Sequence, residues 1–537
     1  MQFPEPNEGP VINRQIKSRM KEKDSKDGRE HLTAGLLVSW VSQLLAIASG
    51  FLVPRLIDSG MGPVTLGVWD FGWSMVGYFG LLQMGISGSV NRFVALERGK
   101  DDLAGVNRVS SSAALLQRGI GGLILLITLV VAWAIPYDLK SVGPELEQQT
   151  RWLVFLLGCS MGLSCFGSVF TGVLTGCHNW ATHHLIYAVT NILSVIGMVT
   201  VLSLGFGIVT LGLVYFSCEL SGRILRGIYA YRACPGLRIS MKLADKATLR
   251  SMAGFGGRMA LGRISRIILA QTSSLLILTF LGPAALAMFV RPRALLLQAA
   301  VFPQKYSFML TPTVASMFGS GCREKVNDFV ISSSRTGLYL SLPIIVFMAT
   351  GGVSLMRLWM GYDYANPWLI GLLTFAMASE IIYQPLDNLL IGLNLHGRPA
   401  LIMLGAAILA LLLVWIVLAH GGGLPVVALA IGIPWTFAHG VYLPLYTCRR
   451  LGIRPGKFFR EVWGGPLLHA IPFGLILAAA RVIFHDQPLN SLLSGGIFGG
   501  CLIAVSYWFR VLPDSLKRKV FSKIKFTRSG KLESAVP

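Results

Sequence analysis

Two short stretches of the sequence decide the fold: "GPVTLGVW" at residues 62–69 and "GPAALAMF" at residues 282–289. Each places a glycine and a proline directly before an apolar segment, which is typical of a turn followed by the start of a helix. Aligned without gaps, residues 62–95 and 282–315 share six identities. The separation of 220 residues predicts that one structural unit occurs twice, and two unrelated Gly-Pro turns are the alternative.

The composition is that of a membrane protein. Of 537 residues, 53% are hydrophobic and only 13% are charged, whereas a soluble domain has about 25% charged residues. Fourteen apolar segments come near the length of about 20 residues that a membrane-spanning helix needs. Because several of the breaks between them are weak, the predicted number of spans is 12–14.

The two copies of the repeat open the second and the eighth predicted span. They are six spans apart and therefore have the same orientation in the membrane, which is typical of transporters built from two parallel halves. We predict an all-α polytopic membrane protein with two parallel six-helix lobes around a central cavity and two additional C-terminal helices. The predicted segments are a basic cytoplasmic tail (1–32), an N-terminal lobe (33–233), a cytoplasmic linker (234–251), a C-terminal lobe (252–450), a cytoplasmic loop with two additional helices (451–510) and a second basic tail (511–537).

The basic residues predict the orientation. The formal net charge is +22, and 33 of the 47 lysines and arginines lie on one side of the predicted spans, against five on the other side. By the positive-inside rule, the basic side and both termini are cytoplasmic, in a multi-pass protein of the inner membrane. Because the excess charge flanks spans, we expect no nucleic-acid partner.

A resemblance to a known family is carried by residues 62–95, "GPVTLGVWDFGWSMVGYFGLLQMGISGSVNRFVA". With its "GVW", "LLQMGI" and "SVNRFVA" elements, this stretch resembles the opening of prokaryotic polysaccharide transporters, the O-antigen and lipid-linked oligosaccharide flippases. Residues 257–290, "GRMALGRISRIILAQTSSLLILTFLGPAALAMFV", are similar to the second half of that family. The family lies in the multidrug/oligosaccharidyl-lipid/polysaccharide exporter superfamily.

The resemblance implies alternating-access transfer of a polyprenyl-pyrophosphate-linked oligosaccharide for cell-surface polysaccharide biosynthesis. It implies a lipid-linked glycan substrate, contact with membrane lipid and a partnership with polysaccharide assembly machinery. A pyrophosphate substrate would need cations inside the cavity. An ionised group at membrane depth is costly and usually faces a cavity or a partner.

The predicted pyrophosphate-binding group consists of Arg258, Arg263, Arg266, Arg291 and Arg293. A guanidinium donates paired hydrogen bonds to phosphate oxygens and stays charged, which suits it to this role. Arg291 and Arg293 lie about 12 and 15 Å from the outer end of their span. Pro292 between them predicts either a broken helix that lines the cavity or a simple kink. Arg226 and Arg258 lie near the inner ends of spans, where snorkelling toward the interface is the preferred interpretation and a functional role is the alternative.

Acidic residues in the spans are candidates for ion pairs or for a coupling step. Glu219 and Arg223 lie four residues apart on one helical face, which favours an intrahelical ion pair. Glu380 and Asp387 belong to the tenth predicted span and could pair with an arginine of the other lobe or take part in proton or cation coupling. Asp70 is either a rim residue or a further candidate. Pairing is the preferred interpretation of each.

No metal site, cofactor or disulfide is predicted. The inner loop that contains His178, His183 and His184 is interpreted as a solvated loop rather than a metal cluster, because no Cys/His spacing resembles a metal site. Cysteines are absent from the predicted outer loops.

Two alternatives to a flippase are weighed. A multidrug extruder of the same superfamily exports cations and usually carries an acid in its first span, whereas residues 34–54 contain none. A membrane glycan polymerase or glycosyltransferase needs a large outer domain or loop with catalytic acids or arginines. The predicted outer loops are short, and no acid pair, nucleophile or metal cluster is placed to act together. We therefore predict a transporter, not an enzyme.

Overall fold

The backbone of the computed structural model is described for residues 11–83, 86–134, 143–177, 179–319, 323–485, 487–511 and 517. These ranges are helical and contain no strand. The helices are α1 (Val11–Gln83), α2 (Ile86–Gly99), α3 (Leu103–Ala134), α4 (Pro144–Gly176), α5 (Trp180–Ser203), α6 (Ile208–Ala233), α7 (Lys246–Leu281), α8 (Pro283–Gly319), α9 (Arg323–Trp359), α10 (Pro367–Gly392), α11 (Gly397–Ala419), α12 (Leu424–Thr436), α13 (Leu443–Leu451), α14 (Pro455–Ile483) and α15 (Pro488–Arg510). A π-helical segment, Phe437–Tyr442, joins α12 to α13 and is called the π segment below. Short 3₁₀ turns occupy Met241–Leu243 and Tyr362–Tyr364.

Thirteen helices within the described residues are long and apolar enough to cross a membrane, in agreement with the predicted 12–14. The first of them, Val38–Leu82, has 45 residues. At about 1.5 Å per residue it is roughly twice as long as the hydrocarbon core of a bilayer is thick. Its backbone leaves the helical conformation at Gly62, so it contains two helical segments. The predicted all-α polytopic fold is confirmed.

Both Gly-Pro turns have the same backbone conformation. Gly62 has φ 82° and ψ 171°, and Gly282 has φ 85° and ψ 176°. Glycine adopts this conformation readily, whereas a Cβ would strain it. The proline that follows suits a first helical turn, where its missing N–H is not needed. Leu66 and Leu286, which are equivalent in the sequence alignment, are both fully buried.

A second contact also occurs twice, once for each copy of the repeat. The Val94 side chain occupies the space next to Gly176, at the end of α4, and the equivalent Val314 lies next to Gly392, at the end of α10. Both valines have no exposed surface. Close packing of glycine against a neighbouring helix is a common device in membrane proteins. The repeat predicted from sequence therefore extends from the turns to the helix packing.

The contacts divide the chain into two compact units, residues 1–287 and residues 288–537. In the first unit, α4 packs against α3 and α6, and α1 packs against α5 and α7. In the second unit, α10 packs against α9 and α12, and α14 packs against α9 and α15. The predicted lobe boundaries and the cytoplasmic position of the termini stay predictions. Of the predicted basic tails, residues 1–10, 512–516 and 518–537 lie outside the described residues.

The segment between α6 and α7 is fixed against α3 by hydrogen bonds. The backbone N–H of Arg238 donates to Asn107 Oδ1 at 2.8 Å, and that of Asp245 donates to Ser112 Oγ at 2.9 Å. Asp245 also caps α7, because the backbone N–H of Thr248 donates to its carboxylate at 2.9 Å. This bond, with a second one from the Thr248 hydroxyl, holds the pKa of the Asp245 carboxyl below its usual value.

The repeated glycine contact predicts paired effects on stability. Gly176→Ala and Gly392→Ala should each lower the free energy of unfolding by about 1–3 kcal/mol, because the added methyl overpacks a filled site. Thermal unfolding of the purified protein in detergent measures this loss. Gly122 on α3 and Gly405 on α11 have open space beside them, so Gly122→Ala and Gly405→Ala are matched controls. Equal melting temperatures for all four variants would contradict the repeat of this contact.

Candidate functional site

The α8 arginines that the sequence singles out lie on one uninterrupted helix. Helix α8 continues through Pro292, so the broken helix considered from sequence does not occur there. Arg291 is 5% exposed, and Arg293 is half-buried. The carboxylate of Glu380 on α10 lies near enough to Arg293 to stabilise its charge. Both residues belong to the second unit, so Glu380 has an arginine beside it within its own unit.

A third helix fixes the position of that carboxylate. The indole Nε1–H of Trp435 on α12 donates a hydrogen bond to Glu380 Oε2 at 2.7 Å. Hydrogen bonds to a charged acceptor are shorter and stronger than those between neutral groups. Arg293, Glu380 and Trp435 therefore connect α8, α10 and α12, and we call them the Arg-Glu-Trp cluster.

Trp435 leads directly into the π segment. The imidazole of His439 is fully buried, its ring centroid is 4.5 Å from that of Trp435, and its Nδ1 lies 3.2 Å from the Trp435 carbonyl oxygen. Prolines flank this turn at Pro434 and Pro444, and Pro444 has no N–H to donate to the preceding turn. π-Helical turns are rare and are frequent at functional sites. The cluster thus ends at an irregular, histidine-bearing turn of the helix.

Polar groups continue along α10 beyond Glu380. Gln384 and Asn388 are each 8% exposed, and Asp387 between them is half-buried. The Thr311 hydroxyl on α8 donates to the Asn388 carbonyl oxygen at 3.0 Å. In the most apolar stretch of α10, 67% of the residues are buried. This helix therefore carries its polar side chains inside the second unit rather than toward lipid.

The first unit contains its own ion pair. Arg223 Nη2 lies 2.9 Å from Glu219 Oε2, one turn apart on α6, and the stem of Arg223 packs on Gly167 of α4. Arg226, whose position near the end of a span predicts a snorkelling side chain, is instead only 6% exposed. The negative charge of Glu219 is thus shared by two arginines of the same helix, since it also stabilises Arg226 electrostatically.

The five predicted arginines do not fall within one unit. Arg266 is half-buried and Arg263 is exposed, both on α7 in the first unit, whereas Arg291 and Arg293 belong to the second. The side chain of Arg258 lies outside the described residues. Asp70 on α1 is 5% exposed, which places it inside the first unit rather than on an open rim.

The described residues contain no group of three or more His, Cys, Asp or Glu side chains that could hold a metal ion. His183 and His184 lie in the first turns of α5, with ring centroids 5.1 Å apart, so they belong to a helix and not to a loop. His178 lies outside the described residues.

Trp435 and His439 were not identified from the sequence. When only Arg, Lys, Asp and Glu are considered within the spans, a tryptophan and a histidine in a span are not selected. The signal that could have found them is "PWTFAHGVYLP" at residues 434–444, where two prolines bracket a histidine at membrane depth. An intramembrane ionisable side chain is a functional candidate by default.

Trp435→Phe should lower the free energy of unfolding by about 1.5–3 kcal/mol, because it removes a hydrogen bond to a carboxylate. Trp463→Phe is the matched control: Trp463 Nε1 donates at 3.0 Å to the neutral Tyr383 hydroxyl in the same unit, so its loss should cost about 1 kcal/mol. Thermal unfolding in detergent compares the two. In a Glu380→Gln background the cost of Trp435→Phe should fall to that of the control, and an unchanged cost would contradict the assignment.

Comparisons with known proteins agree with this architecture. No family model matches the sequence. A protein of Shigella flexneri named as a candidate O-antigen transporter is 23% identical over 359 residues, which cover 63% of this chain and 79% of the relative. An inward-facing multidrug resistance MATE family transporter of the MOP superfamily aligns with a TM-score of 0.65 at 15% identity, over 78% of this chain and 98% of the transporter. The lipid II flippase MurJ, in an inward closed conformation, aligns with a TM-score of 0.64 at 15% identity, over 88% of this chain and 98% of the flippase.

These similar proteins are transporters and a flippase, and none is an enzyme, in agreement with the prediction. The superfamily suggested by residues 62–95 is also the superfamily of the MATE structure. This chain is a multi-pass membrane protein with the fold of the MOP-superfamily transporters.

Proposed function

We propose that this protein is a flippase that moves a polyprenyl-pyrophosphate-linked oligosaccharide across the cytoplasmic membrane for cell-surface polysaccharide biosynthesis. The observation that carries the proposal is the Arg293 guanidinium beside Glu380, with a second, buried guanidinium at Arg291 on the same helix. The similarity to a candidate O-antigen transporter and the fold in common with a lipid II flippase support the same substrate class.

The chemistry of the head group matches the residues of α8. A pyrophosphate presents several anionic oxygens, and arginine binds such groups with paired, charge-assisted hydrogen bonds. In a medium of low dielectric constant each contact is stronger than it is in water. Arg293 would hold the diphosphate while the polyprenyl tail stays in the lipid. Arg291 lies two residues away on an uninterrupted helix, so its side chain leaves a different face of α8 and would contribute through its nearby charge.

Glu380 provides a way to release the substrate. A ligand shifts a conformational equilibrium only through different affinities for the two states. When the diphosphate is bound, Arg293 turns from the carboxylate to the phosphate; when the head group reaches the other side, Arg293 returns to Glu380. Because Trp435 holds the carboxylate in place, the alternating-access cycle would exchange one anion for another at the same guanidinium.

The carboxylates argue against a cation exporter. Glu219 lies 2.9 Å from Arg223, and Glu380 lies in the field of Arg293. Each of these acids thus has a positive partner within its own unit and offers little attraction to a cationic drug. For this reason we propose a flippase rather than a multidrug extruder. The proposal includes cytoplasmic termini and polysaccharide assembly machinery as a partner.

The proposal predicts that Arg293→Ala abolishes flipping in a folded protein. Losing a charge-assisted contact of about 1.5–3 kcal/mol should slow transfer at least about tenfold. The protein is reconstituted in liposomes that contain a fluorescent polyprenyl-pyrophosphate oligosaccharide. A membrane-impermeant quencher added outside measures the fraction of labelled lipid that reaches the outer leaflet, with and without an ion gradient. Arg291→Ala should slow transfer less than Arg293→Ala, because Arg291 leaves a different face of α8 and the variant loses only the effect of a nearby charge.

Arg293→Ala also leaves Glu380 without its guanidinium, so a second variant is needed. In Arg293→Ala/Glu380→Gln the unbalanced carboxylate is removed. If Arg293 binds substrate, this double variant stays inactive; recovery of flipping would show that Arg293 serves only to neutralise Glu380. The exposed Arg460→Ala, on α14, controls for loss of one positive charge. Wild-type protein that exports a cationic dye and does not flip the glycolipid would overturn the proposal.

A further inference from the structure

A groove of about 600 Å³ opens on the second unit between the start of α11 and the helix formed by the π segment and α13. It does not include Arg293, Glu380 or Trp435. α11 begins at Gly397 and α13 ends at Leu451, so the mouth of the groove lies at one boundary of the membrane. The distribution of basic residues predicts that this boundary is cytoplasmic.

Three arginines surround the mouth of the groove. Arg398 comes from α11, and Arg449 and Arg450 come from α13. No acidic residue belongs to the described lining. All three are exposed. The mouth therefore concentrates positive charge at the level of lipid head groups.

Two tyrosines on the same helix hold one of these guanidiniums in place. The rings of Tyr442 and Tyr446 stack, with centroids 5.7 Å apart and planes 20° from parallel. The Arg450 guanidinium lies over the Tyr446 ring, 5.4 Å from its centroid, and Arg450 Nε donates to the Tyr446 hydroxyl at 3.3 Å. That hydroxyl donates to the Leu395 carbonyl oxygen at 3.2 Å, before α11. The guanidinium is thus pre-oriented, which lowers the entropy cost of binding an anion.

The wall of the groove below the arginines is apolar. Phe437, Val441 and Leu445 follow at intervals of four residues and lead toward Arg449. Their side chains are 61%, 42% and 41% exposed, and they lie within a membrane span, so they are accessible to a lipid chain. The groove thus joins a cationic mouth at the interface to an apolar wall in the hydrocarbon region, which matches an amphiphile with an anionic head and an extended chain.

We propose that this groove binds an anionic phospholipid, whose phosphate contacts Arg398, Arg449 and Arg450 and whose acyl chain lies along Phe437, Val441 and Leu445. A basic pocket between helices at the cytoplasmic boundary is the type of site that holds an anionic lipid head group. An acidic peptide fits less well, because it could not satisfy its backbone in the hydrocarbon region. The proposal is independent of the flippase function.

Native mass spectrometry of the full chain in detergent tests the site. The probes are phosphatidylglycerol and phosphatidylcholine with identical acyl chains, so they differ only in their head groups. We expect the protein to retain phosphatidylglycerol in preference to phosphatidylcholine. Equal retention of the two lipids by the wild-type protein would overturn the proposal, whatever the behaviour of any variant.

The arginine variants locate the lipid. Arg398→Gln and Arg449→Gln should each weaken retention of phosphatidylglycerol about fivefold, and the double variant about 25-fold, the increment typical of a basic side chain at an anionic surface. Arg454→Gln/Arg460→Gln removes the same charge from exposed positions outside the groove and should leave retention within about twofold. An equal loss of phosphatidylglycerol retention in this control would show that retention depends only on the overall positive charge, and it would overturn the proposal.

A competition experiment separates the phospholipid from the transported lipid, since both carry phosphate. An equimolar polyprenyl diphosphate should leave most of the bound phosphatidylglycerol in place. Its complete displacement by that diphosphate would assign the groove to the substrate and contradict the proposal. Circular dichroism of each variant checks that the helices are intact.

Discussion

The cost of an ionised side chain inside a membrane is the constraint on which this structure depends. An unpaired charge at membrane depth is expensive, so such a group must face water, a partner or a ligand. Two helices of the second unit meet this constraint through Arg293 and Glu380, with Trp435 holding the carboxylate. In the first unit, Glu219 and Arg223 meet it on a single helix. Removing one member of a buried pair is therefore more damaging than the net contribution of the pair suggests.

The internal repeat supplies the same backbone twice and uses it for different chemistry. Gly62 and Gly282 have the same conformation, yet Trp73 occupies the position in the first copy that Arg293 occupies in the second. Trp73 makes edge contacts with Trp69 and Tyr215, with ring centroids 6.2 and 5.1 Å apart. An aromatic cluster thus replaces a charged one. The transport chemistry that we propose lies in the second copy.

Much of the fold follows from the sequence because membrane spans are local features. The length of an apolar segment and a Gly-Pro turn are visible in a few tens of residues, and both the spans and the backbone of the repeat agree with prediction. The Glu219–Arg223 pair is also local, since residues four apart share a helical face. Glycine contacts such as Gly392 with Val314 are not readable in advance, because the sequence does not say which helices approach one another.

The site is less predictable for the same reason. A carboxylate in an apolar span predicts that a partner is present, but tertiary packing determines which residue that partner is. Glu380 receives its hydrogen bond from Trp435, which lies 55 residues away in the sequence. Exposure is equally hard to read from position along a span. Arg226 is buried and Arg263 is exposed, the reverse of what distance from the membrane boundary suggests. The groove beside the π segment depends on an irregular turn that hydropathy does not reveal.

The central claim is that Glu380 and the substrate diphosphate compete for Arg293. The most direct test is the dissociation constant of a polyprenyl diphosphate for the purified wild-type protein, for Glu380→Gln and for Asp387→Asn, the last as a control that removes one negative charge from the same helix. The account predicts that Glu380→Gln binds the diphosphate more tightly than both other proteins, because Arg293 no longer has to leave a carboxylate. Equal or weaker binding by Glu380→Gln would contradict it.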